Sequence, residues 1–399
     1  MQSRRGFVFL GWSLLGVSLG VLGCDVGATS NPTGGQGGDG GAQSTMGMGG
    51  SSPGAGGAGG AGGAGASGAS SGPGSSSSSS SSSSGTGGSG GAPPVPPGGY
   101  YVQGNKIYDE NGNVHVFRGL ARPSHEWTPQ GENVSLADFQ KIKGWGANIT
   151  RLSLNQGFWL PGHVRYDGQY QQNIDQAIQW ALQAGLDVIL DLHWSDRGDM
   201  NNWDTKQQRM ADQNSVKFWQ SVAEKYKNNG RVLFELYNEP RDVSWSVWRN
   251  GGDSGEGFQA VGMQQLYDTV RATGAQNLVL VGGLDWAFDL SGVTQNRVQG
   301  QNIVYVTHPY DFDSKQPGTW EQKFGFLAAT DPIFITEFGS FDCSTNYTSQ
   351  LLEYAKQRGL SWTGWAWYPK GCDFPSLITN WNGDPSASGQ VVKAALQNP

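Results

Sequence analysis

From about residue 100 to the C-terminus the spacing of apolar positions switches repeatedly between two patterns, and the switches predict the elements. Short runs dense in β-branched and aliphatic residues read as buried strands. They are Val116–Leu120, Ala147–Leu154, Asp187–His193, Val232–Tyr237, Leu278–Gly282, Ile303–Thr307, Ile333–Glu337 and Ser361–Trp365. Between them apolar residues recur three and four apart, the period of a helix with one buried face. Ile174, Ala177, Ile178, Ala181 and Leu182 form one such stripe, and Val216, Trp219, Val222, Ala223 and Tyr226 a second. Met263, Leu266, Tyr267 and Val270 form a third, while Gly146, Gly185 and Gly274 stand where helices should end on a positive φ. Ahead of these units, Tyr100–Tyr108 and Asn113–Phe117 alternate around Asp109-Glu110-Asn111-Gly112, a hairpin signal. Strand and helix alternating through eight units predicts an α/β fold, a closed (β/α)8 TIM barrel. An open doubly wound sheet would carry a glycine-rich phosphate turn after its first strand, and the sequence has none there.

Composition changes the picture only before that domain. The chain has 399 residues and 63 Gly, and the glycine is concentrated at the N-terminal end. Residues 25–98 are mostly Gly, Ser and Ala, with unbroken serine from Ser75 to Ser84. Such a stretch has too little apolar surface to offset the entropy of ordering it, so it is expected to be a disordered tether to a domain spanning residues 99–399. Residues 1–24 read as an export signal: Arg4-Arg5 precede an apolar run from Phe7 to Leu22 that is short for a membrane span. Ser3-Arg4-Arg5-Gly6-Phe7 also resembles a twin-arginine signal, and Val21-Leu22-Gly23-Cys24 resembles a bacterial lipobox, with Cys24 as the lipidated residue. The chain is therefore expected to be exported and either lipid-anchored in the cell envelope or secreted, touching a membrane only through Cys24. A net charge of −7 with no basic run argues against nucleic acid as a partner.

Candidate chemistry lies where the strands end, because a barrel of this kind works at the C-terminal ends of its strands. Val232-Leu233-Phe234-Glu235-Leu236-Tyr237 runs into Asn238-Glu239-Pro240, and Pro240 ends the strand, leaving Glu239 at its tip. Ile333-Phe334-Ile335-Thr336-Glu337-Phe338-Gly339 repeats the arrangement with a second carboxylate, Glu337. Two carboxylates at the ends of separate strands are what glycoside hydrolysis requires. Around them fall Ser124-His125-Glu126-Trp127, Arg151 inside an apolar strand, Asp191-Leu192-His193-Trp194, His308-Pro309-Tyr310, and Trp365 and Trp367. A guanidinium in an apolar strand needs carboxylate partners. Of the 16 Trp, Trp127, Trp159, Trp194, Trp203, Trp245, Trp248 and Trp286 fall near strand ends or in the loops beyond, where flat faces suit sugar rings or loop packing alike. Trp180 and Trp219 sit on helix stripes and are expected in the core.

On Arg151, His193, Asn238-Glu239-Pro240, His308-x-Tyr310, Glu337-Phe-Gly and the Trp of the eighth strand, the domain from about Tyr100 onward resembles glycoside hydrolase family 5, the retaining cellulase family. The resemblance implies Glu239 as acid/base and Glu337 as nucleophile, with Arg151 and Tyr310 holding Glu337. It implies that Asn238 binds the sugar 2-hydroxyl, that His125, His193 and His308 line the cleavage subsite, and that Trp365 or Trp367 is the stacking platform. Trp127 and Trp194 are further candidates for substrate contact. The loops Pro161–Gln169 and Arg241–Gly257 match nothing in that pattern. On the residue chemistry alone, a cation should hold Glu337 ionised and a negative neighbour should raise the pKa of Glu239.

Cys343 and Cys372 are the only cysteines of the domain, and an oxidising compartment favours a disulfide between them. Neither has a His at ligand spacing, and Asp196, Asp199 and Asp204 fit no calcium loop, so no metal and no cofactor is expected. The expected function is a retaining endo-β-1,4-glucanase acting as a monomer on a β-linked polysaccharide. A β-1,4-mannanase, and a non-catalytic polysaccharide-binding lipoprotein, are the alternatives.

Overall fold

The computed structural model describes residues 95–399; the leader, Cys24 and the tether up to residue 94 lie outside the described residues. The described chain opens on Val95–Gly98, where composition predicted tether, but here it docks: the Gly230 amide donates to the Pro97 carbonyl and the Gly98 amide to Glu110 at 2.8 Å. Strands β1 (Tyr100–Gln103) and β2 (Lys106–Asp109) then form an antiparallel hairpin. Its turn is at Gly104-Asn105 and starts five residues before the predicted one. The Asp109–Gly112 turn also forms and leads to a single bridge between Tyr108 and Val114. Both turns carry a positive-φ glycine, Gly104 and Gly112, so the sequence held two turn signals and the first set the strand pairing.

Eight strands close the barrel. In chain order they are β3 (Arg118–Arg122), β4 (Ile149–Asn155), β5 (Asp187–Trp194), β6 (Val232–Glu235), then, after a two-stranded excursion of β7 (Gly252–Asp253) and β8 (Gln259–Ala260), β9 (Val279–Gly282), β10 (Ile303–Thr307), β11 (Ile333–Ile335) and β12 (Ser361–Gly364). Neighbours run parallel, and β12 pairs with β3 to complete the circle. Helices α1 (Leu136–Gly144), α2 (Gln156–Trp159), α3 (Tyr170–Gln183), α4 (Gln213–Tyr226), α5 (Trp245–Asn250), α6 (Met263–Ala272), α7 (Pro317–Lys323), α8 (Asn346–Arg358) and α9 (Ala387–Gln397) connect them. The three predicted stripes are the buried faces of α3, α4 and α6, with Leu182 and Val216 half-buried at the edges. Asp212 caps α4 and Ser215 returns the bond to the Asp212 amide, so that helix starts where its first turn can be satisfied. The fifth unit departs from the prediction: no helix joins β9 to β10. Asp285, Trp286 and Ala287 have consecutive positive φ values, which no right-handed helix allows, and the chain packs Phe288, Leu290 and Val293 as turns instead.

Side-chain alternation splits each strand between two cores. Outward residues such as Leu152, Leu190, Phe234 and Val281 meet the helices. Inward residues Phe117, Ile149, Ile189, Leu233, Leu280, Val304, Val306 and Phe334 form an apolar plug, and Tyr100 and Ile107 of the hairpin pack onto it. One step further along the same inward face the residues become polar, and the site begins there.

Cys343 and Cys372 are bonded, joining the loop after β11 to the loop after β12. With the two cysteines 29 positions apart, the bridge removes about 3.6 kcal/mol of unfolded-state entropy in the chain-entropy model. Thiol labelling of the unfolded, unreduced protein should find neither residue reactive. Reduction should lower the unfolding free energy by about that amount, measured by denaturant titration.

Candidate active site

Three inward positions sit directly above the apolar plug. Arg151 follows Ile149, Asp191 follows Ile189 and Glu235 follows Leu233, each two residues on, so alternation carries all three into the barrel axis. Arg151 donates through Nε to Glu235 Oε2 at 2.7 Å, through Nη1 to Glu337 Oε1 at 2.6 Å and through Nη2 to the Asn238 amide oxygen at 2.7 Å. Its Nη2 also lies 2.9 Å from Asp191 Oδ2. Burial opposes charge on Arg151, but Asp191, Glu235 and Glu337 outweigh it and the guanidinium pKa rises. Burial likewise pushes Glu235 up, yet Arg151 and the His308 ring 3.6 Å away bring it down to about 2. Asp191 goes the other way: burial, with Glu235 alongside, drives it well above the carboxylate range despite Arg151. Burial and the neighbouring Glu235 thus favour the neutral form of Asp191, while Arg151 opposes them. Glu337 takes a second hydrogen bond from the Tyr310 hydroxyl, 2.6 Å from Oε2. Burial and the Glu337 charge push that phenol well above its ordinary range, so it stays a donor.

Glu239 is held differently. Its Oε1 lies 3.0 Å from His308 Nδ1, and its Oε2 accepts from the Gln207 amide. His308 Nε2 is 2.8 Å from the Thr336 hydroxyl, which itself donates to Glu235 Oε1 at 2.9 Å. That hydroxyl has one hydrogen, so Nε2 must carry its own and the labile proton of the imidazole is the one facing Glu239. Burial disfavours the imidazolium, but Glu337, Glu235 and Glu239 raise His308 to about 9. Burial pushes Glu239 up, and the bonds from His308 and Gln207 more than reverse this, to about 2. The expectation that a negative neighbour would raise Glu239 is therefore corrected: in the free site the proton rests on His308.

The other predicted residues divide. His193, at the end of β5, sits with Nδ1 2.6 Å from Asp191, and its ring lies parallel to Trp365 with centroids 5.7 Å apart. Trp365 also meets Phe374, which touches Trp127, so these aromatics line one side of the strand ends. Trp194 is half-buried at the last ladder position of β5. Trp367 does not reach the site: it is fully buried, donates to Asp138 at 2.8 Å and packs edge-on against Trp145 beneath α1. His125 also stands apart from both Glu residues. Its ring lies against Gly131, where an added Cβ would come within 2.8 Å, and burial pushes it down to about 3. Its neighbour Glu126 takes the inward place: it is buried, accepts from the Ser124 amide at 2.7 Å, and burial raises it to about 7 against the pull of His193. Ser124, at φ 115, makes that turn.

Glu239, His308 and Glu337 each offer an atom within 4.8 Å of the others. The family model for cellulase, glycosyl hydrolase family 5, matches residues 108–371. The chain belongs to glycosyl hydrolase family 5. An endoglucanase of Clostridium saccharobutylicum is 25% identical over 311 residues, covering 74% of this chain but only 64% of the relative's own length. An endoglucanase of Paenibacillus polymyxa is 26% identical over 341 residues, covering 71% of this chain and 84% of that one. The crystal structure of a β-glucanase from Saccharophagus degradans superposes with a TM-score of 0.61 at 24% identity, over 77% of this chain and 94% of that chain.

Within this family-5 barrel, Glu235, Thr336 and Gln207 are the site residues that sequence reasoning missed. Glu235 and Thr336 had a usable signal, since each follows an inward apolar residue by two positions. Gln207 had none, because it arrives from the long loop between β5 and α4. The Glu239–His308 pair makes a pH prediction. The folded pKa of His308 lies above its ordinary value of about 6.5, so its stabilisation is complete below that value and is lost as pH rises through about 9. The gap in unfolding free energy between wild type and His308→Gln should be widest near pH 6. It should narrow, by on the order of 1–3 kcal/mol, by pH 10.

Proposed function

We propose that this chain is a retaining endo-β-1,4-glucanase, with Glu337 as nucleophile and Glu239 as acid/base. The observation that carries the reading is the short gap: one oxygen of Glu239 and one of Glu337 lie within 4.8 Å of each other. Inverting enzymes need about 6.5–9.5 Å to admit a water, whereas retaining ones hold the carboxyl groups about 5–5.5 Å apart. Glu337 attacks the anomeric carbon while Glu239 gives a proton to the departing glycosidic oxygen. Because that proton rests on His308 in the free site, it reaches Glu239 across the 3.0 Å Nδ1–Oε1 contact as the glycosidic oxygen arrives. In the second half Glu239 takes a proton from water, the water oxygen bonds to the anomeric carbon, and the ester to Glu337 breaks. Arg151 and Tyr310 aim two donors at Glu337 and so orient the attacking oxygen. Asn238, fixed by Arg151, offers its amide nitrogen to the sugar 2-hydroxyl. The glucan preference is supported by the relatives named endoglucanases and by the Saccharophagus β-glucanase, also crystallised with cellotetraose.

Glu337→Gln should abolish turnover on every substrate, since no glycosyl-enzyme can form. Glu239→Gln should still release phenol in a burst from an aryl cellobioside with a good leaving group, then stall for want of a base. Proton NMR of the first wild-type product should show the β-anomer; an initial α-anomer would falsify the mechanism. The export reading belongs to the same proposal: wild-type protein should fractionate with membranes and Cys24→Ala with the soluble fraction, on immunoblot.

A further inference from the structure

Glu239 has a second partner besides His308. Gln207 arrives from the long loop between β5 and α4, and its amide nitrogen donates to Glu239 Oε2. The loop is fixed on both sides of that residue. Lys206 exchanges two backbone hydrogen bonds with Ser195, at 2.9 and 3.1 Å. The Gln208 carbonyl accepts from Arg241 Nη1 at 2.7 Å and from the Tyr237 hydroxyl at 3.1 Å. The Gln207 carbonyl accepts from Arg241 Nη2 at 2.9 Å. Tyr237 and Arg241 stand two residues to either side of Glu239. The segment that carries the carboxylate therefore also grips the loop that carries its donor.

His308, by contrast, changes during the reaction. In the first half its labile proton passes to Glu239 and from there to the leaving oxygen. The imidazole is left neutral with Nε2 still protonated, and it presents a bare Nδ1 to Glu239 Oε1 across 3.0 Å. Glu337 is by then an ester and carries no charge. The other groups around Glu239 are committed elsewhere. Lys315, in the turn after β10, donates to the Asp285 carbonyl at 2.8 Å and reaches Glu239 through its charge. Tyr310 donates to Glu337, Asp191 and His193 meet each other at 2.6 Å, and Arg151 sends its Nη groups to Glu337, Asn238 and Asp191. Among the described residues, Gln207 is the donor left on the carboxylate, and a hydrogen bond of that kind favours the ionised form.

We propose that Gln207 is a positioning residue of the second half-reaction: its amide holds Glu239 as an oriented carboxylate, ready to take a proton from water, once His308 has given its own proton away. The inference rests on the retaining reading and adds to it what keeps the base ready. The test isolates that step. A 2-fluoro cellobioside with a dinitrophenolate leaving group loads the enzyme as a glycosyl-enzyme, which mass spectrometry detects and which then reactivates by slow hydrolysis. The reactivation rate should fall at low pH along a limb set by protonation of Glu239. In Gln207→Met, which keeps the length and removes the donor, that acid limb should rise by about one pH unit. In Gln207→Glu, which keeps the shape and sets a second carboxylate against the first, it should rise further. A loop with a merely structural role would lower the rate and leave the limb in place, and an unmoved limb in either variant would overturn the assignment. If no adduct forms while the unfluorinated cellobioside is turned over, the retaining reading falls and the role of Gln207 falls with it.

Discussion

The floor of this site depends on one charge that cannot be moved: the guanidinium of Arg151, enclosed by Asp191, Glu235 and Glu337. A buried arginine without partners would be expelled or would unfold the barrel, and three buried carboxylates without a cation would repel one another. Each side is tolerable only because the other is present. The carboxylates outnumber that cation: burial and Glu235 raise the pKa of Asp191, and the surrounding glutamates raise that of His308. The planar fork of arginine matters as much as its charge. It sends separate N–H groups to Glu235, Glu337 and Asn238, and a lysine could not fix all three in one geometry.

Much of this was legible in the sequence, and the reason is alternation. A strand buried on both faces has an inward and an outward set, and a polar residue on the inward set cannot hide in a helix interface. Arg151 was found as a guanidinium in an apolar strand, which needs carboxylate partners. Alternation carried through β6 and β11 would have added Glu235 and Thr336, in one layer with it and Asp191. The barrel itself was legible because strand and helix periods alternate cleanly, and the helix stripes fell on α3, α4 and α6. Where glycine and asparagine supply more than one turn, as at Gly104 and Gly112, local signals do not say which one sets the pairing.

Legibility stops where the strands stop. Beyond Gly364 the chain no longer alternates against a ladder. Trp365 faces His193, while the Trp367 amide donates to the Ala121 carbonyl and its ring turns under α1. Nothing in the spacing separates the two tryptophans; what decides is the buried Asp138, an indole acceptor contributed by a helix far away in sequence. The loop after β3 is decided in the same local way: Ser124 turns at φ 115, its amide donates to the Glu126 carboxyl, and the His125 ring lies against Gly131.

The two central glutamates are distinguished less by their own surroundings than by the kind of partner each has. Glu337 is held by Arg151, whose charge is permanent, and by Tyr310, whose proton burial makes harder to remove. Glu239 is held by His308, whose proton is exchangeable in the range where proteins work, and by the neutral amide of Gln207. A group that must present the same charge throughout a reaction is best served by partners that never titrate. A group that must hold a proton in one step and accept one in the next needs a partner that can trade it. Replacing His308 by a permanent cation would preserve the attraction to Glu239 and remove the exchange, leaving a carboxylate that binds well and transfers nothing.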